Sequence, residues 1–222
     1  CSGCPHNPST KLPEGSFAAA GIGCHYLALN MDRKTQTYTH MGGEGASWIG
    51  RHRFARDKHM FVNIGDGTYQ HSGLLAIKAT VTSGVNTTYK ILYNDAVAMT
   101  GGQKVDGSPS VIEIAFQVQA EGVEQITIIA EDPKVYTGLT LPVGVKVFER
   151  DQLDKIQRRY RDITGCTVII YDQTCAAEKR RRRKRGLMPD PVKRVYINPD
   201  VCEGCGDCST QSNCISIEPL ET

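Results

Sequence analysis

Long apolar runs are missing from this sequence of 222 residues. No stretch approaches the roughly 18 to 20 consecutive apolar residues that a membrane-spanning helix requires, and no leader of basic, apolar and then small residues is present. The chain also begins at Cys1 rather than at a methionine. We therefore expect a soluble, cytoplasmic protein with no membrane partner, and a sequence that is a piece of a longer or processed chain.

A strong excess of one charge is missing as well, except in one segment. The net charge is +2, and residues 179–185 are seven consecutive basic residues, so acidic residues outnumber basic ones in the rest of the chain. Such a run can neutralise nucleic-acid phosphates. No aromatic residues interleave with it, and a basic run is usually a solvated surface. A nucleic-acid-binding module is therefore the weaker alternative for this chain.

Cysteine is plentiful, and its spacing argues against disulfides. The nine cysteines are an odd number, and several lie in Cys-x-x-Cys spacing inside a chain that otherwise has the composition of a large α/β enzyme domain. This combination favours metal binding and a reducing compartment.

Apolar periodicity indicates strands that alternate with helices. The pattern predicts strands at 60–64, 87–93, 126–130, 143–148 and 167–171, and helices at 49–55, 69–83, 110–120 and 151–161. Ser110 and Glu113 form the signature of a helix cap. We predict an α/β fold with a mostly parallel sheet covered by helices, spanning residues 1–178. A basic linker at 179–192 and a small C-terminal iron-sulfur segment at 193–222, with a strand at 194–198, complete the predicted domain organisation.

Polar residues follow two of the predicted strands. Gly65-Asp66-Gly67 follows the first strand, and Asn94 follows the second after 26 intervening residues. Ligands bind outside the carboxyl ends of parallel strands, and Mg²⁺ prefers a few protein oxygens together with substrate phosphates. Two unrelated turns are the alternative. The spacing favours a magnesium diphosphate site, and it resembles the motif of thiamine diphosphate enzymes.

A second set of candidate ligands lies near the C-terminus. Cys202, Cys205 and Cys208 are separated by two residues each, a spacing that suits a 4Fe-4S cluster better than zinc. Cys214 either closes this cluster or serves a second cluster whose other ligands lie beyond the sequence.

A further cysteine set is dispersed along the chain. Cys1 and Cys4 make half a site, while Cys24 and Cys175 are predicted to follow a glycine turn and the last strand. If these strand ends share one edge, the four cysteines converge on a 4Fe-4S cluster. Cys166, at the other end of the last strand, is expected to be an ordinary buried thiol.

Five motifs together resemble one family, indolepyruvate ferredoxin oxidoreductase in its long fused bacterial form, a branch of the 2-oxoacid:ferredoxin oxidoreductases. The motifs are Gly-Ile-Gly-Cys and the segments 40–50, 65–69, 93–103 and 172–179. The resemblance implies a thiamine diphosphate-binding fold that oxidises aryl 2-oxoacids to acyl-coenzyme A and passes electrons through 4Fe-4S clusters to ferredoxin.

The resemblance also implies roles for individual residues. Asp66, Asn94 and the Ala96 carbonyl would hold Mg²⁺. The implied cofactor-binding residues are Gly23, Gly65, Gly67 and Thr68. Cys1, Cys4, Cys24 and Cys175 would hold the cluster nearest thiamine. Cys202, Cys205, Cys208 and Cys214 would begin a truncated ferredoxin-like module.

Three residues are candidates for chemistry at the reacting atoms. Glu44 is interpreted as a wall of the substrate or thiamine site, with a solvated loop carboxylate as the alternative. His40 and His25 are candidates to reach the reacting carboxylate, and a structural imidazole is the alternative for each. The glutamate that activates thiamine in this family belongs to another domain, so we expect partner domains and a homo-oligomer. A non-redox thiamine-dependent decarboxylase or carboligase with a structural metal site is the alternative function.

Overall fold

The computed structural model describes residues 4–103, 106–193 and 196–212 of the chain. Seven strands form a single sheet in which every strand pair is parallel. The sheet order is β2-β1-β3-β4-β7-β5-β6. The strands are β1 (Ala18–Ala20), β2 (Thr35–Tyr38), β3 (Met60–Gly65), β4 (Thr87–Tyr93), β5 (Gln125–Ala130), β6 (Lys146–Glu149) and β7 (Cys166–Asp172).

Helices connect these strands or follow the last of them. They are α1 (Ala46–Arg51), α2 (Asp66–Thr68), α3 (Leu74–Ser83), α4 (Val111–Ala120), α5 (Leu153–Arg161), α6 (Ala176–Lys184) and α7 (Asp207–Ser212). A π-helical turn, Tyr69–Gly73, joins α2 to α3 without a break. Short 3-10 turns lie at Pro8–Thr10, Cys24–Asn30, Pro133–Tyr136 and Arg150–Gln152. None of the described helices is long and apolar enough to cross a membrane.

The sheet has helices on both faces, as a parallel sheet with buried central strands requires. On one face, Trp48 of α1, Ile77 of α3 and Ile114 of α4 pack with the inward residues of β3, β4 and β7. On the other face, α5 packs through Leu153, Ile156 and Tyr160. The predicted α/β fold with a mostly parallel sheet is therefore confirmed for the described residues.

The face under α5 also contains a polar layer that the apolar pattern does not reveal. Lys90, in the middle of β4, is buried, and its ammonium group donates to the carbonyl of Ser9 at 2.7 Å and to Gln157 Oε1 at 3.0 Å. Burial, and then the nearby Arg33 guanidinium, lower the pKa of Lys90 to about 7. Lys90 therefore ties the N-terminal segment to the centre of the sheet.

Several predicted boundaries need correction. The helix predicted at 49–55 is α1, which begins earlier, after Gly45 in a left-handed conformation, and ends at Arg51. The strand predicted at 143–148 begins only at Lys146, and neither β1 nor β2 was predicted.

The predicted C-terminal boundaries also differ from the structure. The predicted basic linker is helical up to Lys184, because α6 begins at Ala176 and continues through most of the basic run. Residues 196–198 of the predicted strand 194–198 are not in a strand, and the other two lie outside the described residues.

Candidate active site

Asp66 lies at the carboxyl end of β3 and links it to the end of β4. Its Oδ2 accepts hydrogen bonds from the backbone N–H groups of Asn94 at 3.0 Å and Asp95 at 2.9 Å. Its Oδ1 accepts from the N–H of Gly67 at 2.9 Å. Burial raises the pKa of Asp66, and these backbone donors oppose that increase. The buried carboxylate is thus held in one orientation between the two sequence motifs.

The residues around Asp66 fit a magnesium diphosphate. Asn94 is half-buried, and its Oδ1 accepts the N–H of Ala96 at 3.1 Å, which fixes the turn that follows β4. Carboxylate, amide and carbonyl oxygens form the hard donor set that Mg²⁺ takes. A Cβ built on Gly67 would meet only a methyl group of Val97, at 3.9 Å. The turn therefore leaves space beside its backbone for a phosphate group.

The glycine turn after β1 borders the same site. Thr68 Oγ1 donates to the carbonyl of Ile22 at 3.2 Å, which connects the Gly-Asp-Gly turn to the Gly-Ile-Gly-Cys turn. His25 is buried, and its Nε2 accepts the N–H of Gly21 at 3.2 Å. A side chain at Gly23 would lie within 2.9 Å of the imidazole, so only glycine fits there. The ring packs against the backbone of this turn.

His25 is uncharged at neutral pH. Burial, and then the charge of His6, lower the pKa of His25 to about 4. Because Nε2 accepts a hydrogen bond, the ring proton is on Nδ1, which lies close to Gly23 and Gly65. His25 therefore presents one N–H donor near the glycine turn after β1 and the end of β3.

Glu44 is fully buried, so the interpretation of it as a solvated loop carboxylate is wrong. Its Oε2 accepts the N–H of Gly42 at 2.8 Å, whereas its Oε1 has no hydrogen-bond partner among the described residues. A Cβ at Gly21 would collide with Oε1, so the glycine turn makes room for this carboxylate. Burial raises the pKa of Glu44, and Tyr89 Oη donates to its carbonyl at 2.8 Å.

His40 occupies a different environment. It is exposed, and its ring lies next to Gly43, one residue before Glu44. His40 and His71 both lie close enough to Glu44 for their charges to lower its pKa, although burial is the larger effect. The structure thus groups His40 with Glu44, and His25 with the Gly-Asp-Gly turn.

Three of the four cysteines predicted to hold a cluster near thiamine lie in one neighbourhood. The protein surrounding the Cys24 thiol raises its pKa by desolvation, and the neighbouring Cys175 and Cys4 thiols raise the pKa further. Cys1 lies outside the described residues. Thiolate donors suit iron, yet within ranges 4–103, 106–193 and 196–212 no three cysteine, histidine or acidic side chains form a group that could hold a metal ion. This cluster remains a prediction.

The remaining cysteines belong to the C-terminal segment and to the start of β7. Cys202, Cys205 and Cys208 are exposed before and within α7, and Cys214 lies outside the described residues. Cys166 is half-buried at the start of β7, and burial raises the pKa of its thiol to about 12, in accord with an inert structural thiol.

His6 contributes to this edge, although no sequence signal pointed to it. Its Nε2 lies 2.8 Å from the carbonyl of Gln173 and 3.2 Å from that of Tyr93, so one N–H is shared between the ends of β7 and β4. Burial lowers the pKa of His6 to about 4. His6 therefore fastens the segment that carries Cys4 to the strand ends that carry Asn94 and Cys175.

Comparisons with known proteins relate this chain to thiamine-dependent enzymes. Residues 21–171 match the family described as thiamine pyrophosphate enzyme, C-terminal TPP binding domain. The indolepyruvate oxidoreductase subunit IorA of Thermococcus kodakarensis is 25% identical, with 98% of this chain and 35% of that protein covered. The subunit of the same name from Methanothermobacter marburgensis is 24% identical, with 94% and 38% covered. The chain spans little more than a third of the length of these curated relatives.

Solved structures share the fold. A 2-oxoglutarate:ferredoxin oxidoreductase from Magnetococcus marinus, solved with 2-oxoglutarate, coenzyme A and succinyl-CoA, superimposes with a TM-score of 0.59 at 17% identity, covering 89% of this chain and 72% of that one. Benzoylformate decarboxylase from Polynucleobacter necessarius gives a TM-score of 0.51 at 16% identity, with 76% and 32% covered. The family match spans more than half of the chain and includes Asp66 and Asn94, and the chain therefore belongs to the thiamine pyrophosphate enzymes, with their C-terminal TPP-binding domain.

Proposed function

We propose that this chain is the cofactor-binding part of an enzyme that oxidatively decarboxylates aryl 2-oxoacids, such as indolepyruvate or phenylpyruvate, to acyl-coenzyme A. Electrons would leave through 4Fe-4S clusters to ferredoxin. The observation that carries the proposal is the position of Cys24 and Cys175 at the same sheet edge as Asp66 and Asn94. A non-redox thiamine enzyme has no use for thiolates at that position. The curated relatives named indolepyruvate oxidoreductase support the substrate class.

In this proposal, Mg²⁺ is held by Asp66, Asn94 and the carbonyl of Ala96, and Gly65, Gly67 and Thr68 line the diphosphate. Thiamine diphosphate supplies the carbon nucleophile and the electron sink, so the protein has to orient it and exclude water. The buried carboxylate of Asp66 is already fixed by three backbone donors. Such preorganisation limits the rearrangement needed on binding.

The two flanking residues have distinct proposed roles. Neutral His25 can donate from Nδ1 without bringing a competing positive charge to the diphosphate turn. Glu44 has one buried oxygen without a partner among the described residues, and its pKa is raised, so a protonated Oε1 can donate a hydrogen bond to a bound group. His40, exposed beside Glu44, is the candidate for contact with the substrate carboxylate.

The proposed enzyme needs partners beyond this chain. The glutamate that activates thiamine would come from another domain of the same enzyme, within a homo-oligomer. The exposed basic residues Arg180, Lys184 and Arg185 are available to attract acidic ferredoxin or the phosphates of coenzyme A. A cytoplasmic location follows from the need to keep the ligand thiols reduced.

Iron content and substrate-dependent reduction test the proposal together. The full-length protein is prepared without oxygen as parent, Cys175→Ala and Cys166→Ala, and iron and sulfide per chain are measured before indolepyruvate and coenzyme A are added. We expect the visible absorbance of the iron-sulfur clusters to bleach in the parent and in Cys166→Ala when substrate is added, because the clusters are reduced. We expect Cys175→Ala to lose the iron of one cluster and the bleaching, because it removes a ligand at the edge of the thiamine site.

Cys166→Ala is the matched control, since it removes the thiol at the opposite end of β7, the strand that Cys175 follows. A parent protein that contains thiamine but no iron, and releases carbon dioxide without reducing ferredoxin, would contradict the proposal in favour of a non-redox decarboxylase. An iron content in Cys175→Ala equal to that of the parent would refute the assignment of Cys175.

A further inference from the structure

The loop that follows β4 is held by the helix that follows β7. Residues 94–103, called here the 94–103 loop, include the proposed magnesium ligands Asn94 and Ala96. Inside the loop, the N–H of Val97 donates to the carbonyl of Gln103 at 2.8 Å, and the N–H of Gly102 donates to Val97 at 2.9 Å. These bonds close the loop on itself. They do not attach it to the rest of the domain.

Two contacts from α6 and the residue before it attach the first part of the loop. The N–H of Cys175 donates to the carbonyl of Asn94 at 3.1 Å. Arg182 Nη2 lies 2.6 Å from Asp95 Oδ2, while its Nε lies 3.1 Å from Glu178 Oε1. The guanidinium therefore joins the loop to the helix with two separate N–H groups, a geometry that lysine cannot reproduce.

A third contact attaches the far part of the loop. Arg181 Nη1 donates to the carbonyl of Gly101 and, at 3.5 Å, to that of Gly102. Both parts of the 94–103 loop are thus tied to adjacent arginines of one helix, which begins immediately after Cys175.

The backbone of Asp95 shows how closely the loop is constrained. Its φ is 59°, a left-handed conformation that few residues other than glycine adopt. Such conformations persist where the surroundings fix them from several sides. Here the N–H of Asp95 bonds to Asp66 and its carboxylate to Arg182. The ion pair thus supports the backbone turn that also directs the N–H of Asn94 toward Asp66.

We propose that α6 is a clamp on the 94–103 loop, in which Arg181 and Arg182 are positioning residues for the magnesium ligands Asn94 and Ala96. The inference rests on the proposed function and assigns part of the basic run a role inside the domain. Exposed ion pairs add little to global stability, so the clamp acts on the order of the loop. It also ties the magnesium ligands to the backbone of Cys175.

The clamp is tested from both of its sides in the full-length protein. The variants are Arg182→Gln and Asp95→Asn, because asparagine tolerates the left-handed conformation, together with the double variant. Arg180→Gln is the control, an exposed arginine on the same helix. Hydrogen exchange of the 94–103 amides is measured without ligands, and the Mg²⁺ concentration that gives half-maximal thiamine diphosphate binding is measured by calorimetry.

We expect faster exchange in the loop and roughly a tenfold higher Mg²⁺ requirement for each single variant, the range seen when groups that orient metal ligands are removed. The double variant should show no more than the larger single effect, because both changes break one contact. Loop exchange and Mg²⁺ requirement in Arg182→Gln and Asp95→Asn equal to those of Arg180→Gln would overturn the clamp. A parent that fails to bind thiamine diphosphate would refute the proposed function, while the exchange measurement would still decide the clamp.

Discussion

Burial changes the charge of single titratable residues at this sheet, and His59 is an example. His59 precedes β3, is buried, and its Nε2 lies 2.8 Å from Thr88 Oγ1. Burial, and then the charge of Arg161, lower the pKa of His59 from 6.5 to about 4. The unfolded chain therefore binds a proton between pH 6.5 and 4 that the folded chain does not bind, and this residue makes stability fall as the pH falls through that window.

We predict that His59→Gln makes the fall in unfolding free energy between pH 6.5 and 4.5 shallower by about 1.4 kcal/mol per pH unit, the value of one proton. Urea unfolding at several pH values measures the slope. His71→Gln, which removes an exposed imidazole, is the control. Identical slopes for His59→Gln and the parent would show that His59 is protonated in the folded protein over this range.

Some positions in the candidate site could be predicted from the sequence, and others could not. The proximity of Asp66 and Asn94 was predictable because each follows a strand, and parallel strands end at one edge. The burial of Glu44 was not, since it depends on Gly21, which is distant in sequence and makes room for the carboxylate. His6 and Lys90 were also beyond prediction, because their partners are mostly backbone carbonyls that leave no sequence signature.

Among the helices and strands, the sequence predicted the start of a helix reliably where side chains of the helix itself cap its first turn. The start of α4 follows its capping box, in which Ser110 Oγ accepts the N–H of Glu113 at 3.3 Å and Glu113 Oε2 accepts the N–H of Ser110 at 2.7 Å. The helical part of the basic run was missed because charge alone suggests a solvated linker. Within α6, Glu178 pairs with Arg181 and Arg182 one turn later and offsets the repulsion.

We predict that Ser110→Ala lowers the free energy of unfolding by about 1 kcal/mol, because the first turn of α4 loses its side-chain acceptor. Chemical denaturation of the parent and the variant measures the difference. Ser108→Ala, an exposed serine outside the helix, should leave the unfolding free energy within about 0.5 kcal/mol of the parent. A loss no larger for Ser110→Ala than for Ser108→Ala would mean that the cap does not contribute.

At the scale of the whole molecule, the alternation of strands and helices predicted the layers of the fold, whereas the strand order required the structure. β7, the last strand along the described residues, lies between β4 and β5. That insertion brings Cys175 next to Asn94, and the N-terminal segment, fastened by Lys90 and His6, carries Cys4 to the same edge. The proximity of these cysteines to the Gly-Asp-Gly turn is therefore a property of topology rather than of any single motif.

We propose that Asp66 anchors magnesium thiamine diphosphate at this edge. Calorimetric titration of the full-length protein with thiamine diphosphate, with and without Mg²⁺, tests it most directly in the parent, in Asp66→Asn and in the exposed control Asp57→Asn. We predict Mg²⁺-dependent binding in the parent and the control, and its loss in Asp66→Asn, because the amide removes the charge that faces the cation. An affinity in Asp66→Asn equal to that of the parent would show that this carboxylate does not hold the cation.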